Sequence, residues 1–299
     1  MLVMVAVMFV VPLAVFASAS PALAARPFEK FQGCPTEVPS VLECSYNVTT
    51  GGEFKINKTK VPINKSIIQQ SGLVRISAEE PLFVSIGAKA GFESFQKVAL
   101  NVPGGLLGLV NCTEITGEGF FEKAAREACK FVFEHGPTEV TATTEPVANE
   151  ANPPLVNTRN LSIESGTAVV LPVRIHLQNT LLGNGCYIGS EAHPIQLNLS
   201  TGTSGALKGK RGTASTIKEE IPGEEEPVRA LHLANNALVD GTFAVPVVEG
   251  CGEFLGVKGF LNSIVNGKIG LPSAAGNNAA KLEGELNSTA AAEVIRAGF

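Results

Sequence analysis

Apolar and polar residues alternate along two segments near the middle of the chain, residues 173–178 and 195–199. Because successive side chains of a strand point to opposite faces, this pattern predicts two strands that each turn one face to a core and the other to water. Residues 179–191 between them are rich in glycine and contain Cys186. Together these segments predict a β-hairpin whose long loop is held by a disulfide.

Shorter alternating segments occur on both sides of this hairpin, and they predict a mainly β protein with antiparallel strands and minor α content. The pair Gly51-Gly52 predicts a turn between two such strands. Residues 205–227 combine a run of basic residues with five glutamates, which favours a solvated loop.

Two segments break the strand pattern. Apolar residues recur at helical spacing along residues 120–135, and Gly136-Pro137 follows as a stop, so this segment predicts an amphipathic helix. Residues 254–271 show weaker helical spacing interrupted by four glycines, and they predict a weak helix or an irregular crossover.

The best linker is the segment 146–160, which contains three prolines and little periodicity. It separates residues 25–145 from residues 161–299, and each part is long enough to bury a core. The sequence therefore predicts two antiparallel β-sandwich- or barrel-like domains, each with one helical segment.

The two halves share landmarks in the same order. A Pro-Ile pair, a Val-Pro pair, a cysteine and a helical segment follow one another in both. The proline and the cysteine are 50 residues apart in the first half and 57 in the second. An internal duplication would explain this order, and so would chance, because such dipeptides recur in unrelated sequences.

The beginning of the chain has the pattern of a secretory signal peptide. Residues 1–25 carry no charge, residues 2–16 are apolar apart from one proline, and an A-x-A motif ends at Ala24. This predicts a signal peptide over residues 1–24, cleaved after Ala24, with Ala25 as the alternative. We therefore expect an exported protein without a transmembrane span after cleavage.

The cysteine content and the net charge of the chain bear on its disulfides and on the class of partner it could bind. The cysteines are Cys34, Cys44, Cys112, Cys129, Cys186 and Cys251. Six cysteines in an exported chain predict three disulfides. No C-x-x-C or H-x-x-x-H spacing occurs, so we expect no metal site and no cofactor. The formal net charge of −5 argues against nucleic acid as a partner.

The second half contains two cysteines, Cys186 and Cys251, so the simplest prediction is a disulfide between them. In the first half two maps are equally simple. A duplicated rule would pair Cys44 with Cys112 and Cys34 with Cys129, whereas local pairing would join Cys34 to Cys44 and Cys112 to Cys129. We favour the duplicated map because it applies one rule to both halves.

The segment LLGNGCYIGS at residues 181–190, HPI at residues 193–195 and GLPSAAG at residues 270–276 resemble an uncharacterised family of secreted actinobacterial proteins. The similarity covers most of the mature chain. It implies a bacterial, exported context, and it brings no activity, ligand or catalytic residue.

Candidate chemistry is sparse. Ser215 and Lys218 have the Ser-x-x-Lys spacing in which a lysine accepts the serine proton, but the companion Ser-Asp-Asn and Lys-Thr-Gly motifs are absent. The histidines form no recognisable motif and predict surface or hydrogen-bonded structural roles: His135, His176, His193 and His232.

The sequence therefore favours a secreted or cell-envelope-associated, non-catalytic β-rich protein that acts as a structural or binding module. Its partner would be a cell-wall or other extracellular ligand. The alternative is a secreted hydrolase whose nucleophile the sequence does not identify.

Overall fold

The computed structural model describes residues 26–106, 118–120, 123–124, 126–127, 130, 138–149, 151–253 and 258–299. The predicted signal peptide, with Ala24 and Ala25, lies outside the described residues. Cys112, Cys129 and His135 lie outside them as well.

Strands dominate the described part of the chain. They are β1 (Val41–Ile56), β2 (Thr59–Pro62), β3 (Ile67–Arg75), β4 (Leu82–Ile86), β5 (Ala99–Asn101), β6 (Thr141–Pro146), β7 (Leu155–Asn157), β8 (Val169–Gln178), β9 (Tyr187–Ile188), β10 (Ile195–Leu199), β11 (Thr203–Ser204), β12 (Leu207–Lys208), β13 (Thr213–Glu219), β14 (Val228–Asp240), β15 (Val248–Glu249) and β16 (Ala279–Ala290). The helices are a 3-10 helix (Pro27–Phe31), α1 (Thr158–Ile163), α2 (Lys258–Ile269) and α3 (Ala291–Arg296).

The prediction of a mainly β, antiparallel protein is confirmed. The central hairpin is confirmed as well, because β8 and β10 pair antiparallel and turn their alternate apolar residues inward. Ile195, Leu197 and Leu199 are each at most 1% exposed. The weak helix predicted at residues 254–271 is α2, and the described positions of the segment 120–135 are helical.

Eight strands form a closed ring in the order β14-β16-β1-β3-β4-β7-β8-β10. Ser200, directly after β10, closes the ring onto Val239 of β14 through two backbone hydrogen bonds of 2.9 and 2.8 Å. The remaining strands extend this ring. β13 pairs with β14, β6 pairs with β8, and β5 pairs with β6.

The ring takes strands from both predicted halves. The first half contributes β1, β3 and β4, and β1 pairs along most of its length with β16 from the end of the chain. The segment 146–160, predicted as a linker, contains β7, which bridges β4 and β8. The sheet therefore joins residues 25–145 to residues 161–299 without a break at the predicted boundary.

One local prediction was wrong, and a second was right only in part. Gly51-Gly52 lies within the continuous strand β1 rather than in a turn, because the chain bulges between Thr49 and Gly51 and Gly52 (φ 106°) lies against the backbone of Lys281. Residues 205–227 contain β12 and β13, and the predicted solvated loop is found at residues 220–227, which are mostly exposed. The end of β13 is anchored by the buried Glu219, which accepts hydrogen bonds from Arg26 Nε at 2.6 Å and the backbone N–H of Phe28 at 2.8 Å.

Two disulfides join described residues. Cys186 bonds to Cys251, which is the pairing expected for the second half. Cys34 bonds to Cys44, so the favoured pairs Cys44 with Cys112 and Cys34 with Cys129 were wrong. The physical reason is local: the turn after the 3-10 helix folds back onto β1 and brings the Cα atoms of Cys34 and Cys44 to 5.6 Å.

Candidate ligand cavity

The closed ring surrounds a cavity of about 110 Å³. Alternate residues point into it at residues 45–49 of β1 and 67–73 of β3, and β8, β14 and β16 contribute further side chains to its wall. Most of the wall is apolar. Prominent apolar side chains around it are Phe54, Leu73, Leu171, Leu199, Leu233 and Leu286.

The polar part of the wall comes mainly from β1, β3 and β16. The alternation of apolar and polar residues along β1 predicts that Ser45, Asn47 and Thr49 face water, but in the ring they face the cavity. The opposite face of β1 is covered too, because Cys44 and Tyr46 pack in a separate cluster with Phe28 and Phe31. Both faces of β1 are therefore partly buried, which its alternating sequence does not reveal.

Some of these polar groups already have partners. The hydroxyls of Ser45 and Ser71 are 2.8 Å apart, and the amide oxygen of Asn47 accepts a hydrogen bond from the backbone N–H of Asn287. Other hydrogen-bonding groups on the wall make no side-chain hydrogen bond to any residue that the structure describes. These groups belong to Thr49, Gln69, Ser85, Thr144 and Thr158.

The cavity is electrically neutral. None of the described residues that line it is charged. Two carboxyls accept hydrogen bonds from residues of the wall: Glu43 Oε2 from Ser288 Oγ at 3.2 Å, and Glu285 Oε1 from Asn287 Nδ2 at 3.4 Å. Burial raises the pKa of Glu43 above its ordinary value of 4.5, while the hydrogen bond from Ser288 and the charge of Arg75 oppose that shift. An unpartnered charge inside this wall would be costly.

The cavity has a partly exposed wall and adjoins a smaller cavity. Leu231, which lines the wall, is 45% exposed. The second cavity, of about 40 Å³, lies next to the first, and Phe54 and Thr144 line both.

The Ser-x-x-Lys pair is not brought together. Ser215 and Lys218 both lie on β13, three positions apart, and side chains three positions apart on a strand point to opposite faces. Lys218 therefore cannot accept the proton of Ser215. Ser215 pairs instead across the sheet with His232, whose Nδ1 is 2.9 Å from Oδ1 of Asn287.

His176 belongs to a polar cluster on the outer face of β6, β8 and β9. Glu145 accepts a hydrogen bond from Arg174 at 3.0 Å, and its carboxylate lies 3.9 Å from Nδ1 of His176. The ammonium of Lys97 lies 3.5 Å from the same carboxylate. His176 stacks on Tyr187, and its Nε2 is buried without a partner among the described residues. Burial lowers its pKa from the ordinary 6.5, against the opposing effect of Glu145. Its described residues line neither of the two cavities of the ring.

His193, in phase with a buried isoleucine in sequence, is exposed. Among the residues that the structure describes, no group of three His, Cys, Asp or Glu side chains is arranged to hold a metal ion. No helix in the same described ranges is long and apolar enough to cross a bilayer.

Comparison with family models, with curated proteins and with solved structures finds no match to this chain.

Proposed function

We propose that this protein is a non-catalytic binding protein that holds a small, uncharged, mainly apolar molecule in the cavity of the ring. The observation that carries the proposal is the composition of the wall, which is mostly apolar with neutral hydrogen-bonding groups, several of which have no side-chain partner among the described residues. Closed rings of about eight strands enclose an interior just large enough for one small ligand. The absence of charge from the described wall supports an alcohol, ketone, amide or ester rather than an ion.

The size of the cavity supports a ligand with a modest apolar part. An engineered apolar cavity of about 150 Å³ binds benzene in another protein. The cavity here, about 110 Å³, is of the same order, and the adjoining 40 Å³ extends it past Phe54. A single ring or a short alkyl chain with one hydrogen-bonding group fits these dimensions.

We also propose that the protein acts outside the cytoplasm. Two disulfides between described residues fit an oxidising compartment. Cleavage after Ala24 or Ala25 would leave intact the contacts of Arg26 with Glu219. Sequencing of the mature N-terminus should find Ala25 or Arg26, and retention of Met1 would contradict export. The hydrolase alternative is tested by a serine-directed activity probe, whose labelling would have to be lost in Ser215→Ala.

Three ligands with the same tail test the cavity proposal: 1-hexanol, hexanoate and hexylammonium. Titration calorimetry should detect 1-hexanol binding, and each ion should bind more than about tenfold weaker because its charge would enter a wall without a counter-charge. Equal affinity for all three would contradict the proposal.

Variants that fill the cavity test where the ligand binds, and a surface variant is the matched control. Leu286→Trp adds volume within the ring and should abolish 1-hexanol binding, whereas Ile295→Trp, at a position 57% exposed on α3, should leave it unchanged. Leu233→Phe fills the same space with a smaller change, in case Leu286→Trp perturbs folding. Undiminished binding in folded Leu286→Trp and Leu233→Phe would place the ligand elsewhere.

A further inference from the structure

An open groove of about 540 Å³ lies on the outer face of β1 and β3, on the opposite side of these strands from the cavity. The 3-10 helix forms one side of the groove, and the segment around Phe92 contributes another part of the wall. The groove shares no lining residue with the cavity. It is therefore a separate surface with its own chemistry.

The groove is lined by planar polar side chains with unused hydrogen-bonding capacity. The Tyr46 hydroxyl, the Gln32 amide and the Glu29 carboxylate make no side-chain hydrogen bond to the described residues. Gln70 donates through Nε2 to the carbonyl of Glu93 at 2.8 Å, which holds its side chain in place and leaves Oε1 as an acceptor. The groove therefore offers both donors and acceptors to a ligand.

Two aromatic rings add apolar contact area. Tyr46 and Phe92 are both half-buried, and each presents part of its ring to the groove. Lys89 lies over Phe92 with its ammonium 5.7 Å from the ring centroid. A partly exposed ring beside hydrogen-bonding groups suits a ligand that has both C–H faces and hydroxyl groups.

The charges of the groove balance. Arg26 is paired with Glu219, and Lys30 and Glu29 carry opposite charges on the 3-10 helix. Lys89, beside Phe92, adds one positive charge, which is too little to favour a polyanion over a neutral chain. The groove thus favours a neutral ligand.

Two residues of the groove belong to a row of paired polar residues that crosses the sheet and fixes their positions. Tyr46 on β1 is paired with Gln70 on β3 and with Asn287 on β16, and the row runs on to His232 and Ser215. Since neighbouring strands lie about 4.8 Å apart, these five positions span about 19 Å in a straight line. Asn287 is buried and fixes the row, because it donates to the carbonyl of Tyr46 and contacts His232.

We propose that this groove binds a neutral saccharide chain. A saccharide unit offers a C–H face to an aromatic ring and hydroxyls to amide, carboxylate and phenol groups, and Tyr46, Gln32 and Gln70 supply that combination. Because Asn287 is buried, the saccharide would contact the groove itself, at Tyr46, at Gln70 and on the 3-10 helix, rather than the strands beyond β1. The cavity and the groove are independent sites on the two faces of the same strands.

Affinity electrophoresis of the full-length, oxidised protein tests this inference. Native gels would contain dextran, xylan, mannan or a β-1,3-glucan, with dextran sulfate and an empty gel alongside. At least one neutral polysaccharide should retard the protein, while dextran sulfate should not. Tyr46→Ala should weaken retardation by about tenfold, the loss expected for one aromatic contact, and Gln32→Ala should weaken it as well.

The control is His193→Ala, an exposed position in the hairpin loop, which should migrate as the original protein does. Binding of 1-hexanol by Tyr46→Ala and Gln32→Ala shows that they are folded and separates this inference from the cavity proposal. The inference is overturned if no neutral polysaccharide retards the protein, if only dextran sulfate does, or if folded Tyr46→Ala and Gln32→Ala are retarded as strongly as the original.

Discussion

The two disulfides should differ in their effect on stability because they close loops of different length. Cys186→Ala/Cys251→Ala opens a loop with a sequence separation of 65, and Cys34→Ala/Cys44→Ala opens one of 10. All four cysteines are at most 3% exposed, so both double variants lose comparable buried contacts. Because loop-closure entropy rises with the logarithm of loop length, removing the longer loop should cost about 1.7 kcal/mol more.

Urea unfolding of the two double variants and the original protein, followed by circular dichroism without reductant, measures this difference directly. The comparison cancels the contribution of the removed sulfur atoms, since each variant removes two. Equal losses in the free energy of unfolding, or a larger loss for Cys34→Ala/Cys44→Ala, would refute the reasoning from loop length.

Two partly buried ionisable groups should change the pH dependence of the free energy of unfolding in opposite directions. The folded-state pKa of His176 is lowered, so its contribution to stability is present above its ordinary value of 6.5 and is lost as pH falls through the folded pKa. Urea unfolding should therefore show a smaller stability loss for His176→Gln than for the original protein between about pH 7 and 5, and equal losses would be contrary to this. The folded-state pKa of Glu43 is raised, so its contribution is present below 4.5 and is lost as pH rises through the folded pKa. Glu43→Gln should gain stability relative to the original protein as pH rises from about 4 to about 7, and a constant difference would count against the burial of this carboxyl.

Sequence alternation predicts β8 and β10 well because each buries one face and exposes part of the other. It fails for β13, whose first four residues are exposed, because an edge strand with little burial leaves no apolar period to detect. The burial of Glu219 depends on Arg26, 193 positions away in sequence, and no local pattern reports such a contact.

The cavity could not be predicted from the sequence for a related reason. Its wall is assembled from nine strands, and the polar residues Ser45, Asn47 and Thr49 have the same pattern whether they face water or an enclosed space. The glycine pair at Gly51-Gly52 carries a similar ambiguity, because a turn and a bulge both need it. Only the close approach of Lys281 decides for the bulge.

The central claim is that the ring holds an uncharged, mainly apolar molecule. Native mass spectrometry of protein purified from a secreting host, followed by solvent extraction, tests it most directly. The account predicts one equivalent of a small neutral compound bound to the original protein and to Ile295→Trp, and none bound to Leu286→Trp. A charged compound, or a neutral one retained equally by folded Leu286→Trp, would contradict it.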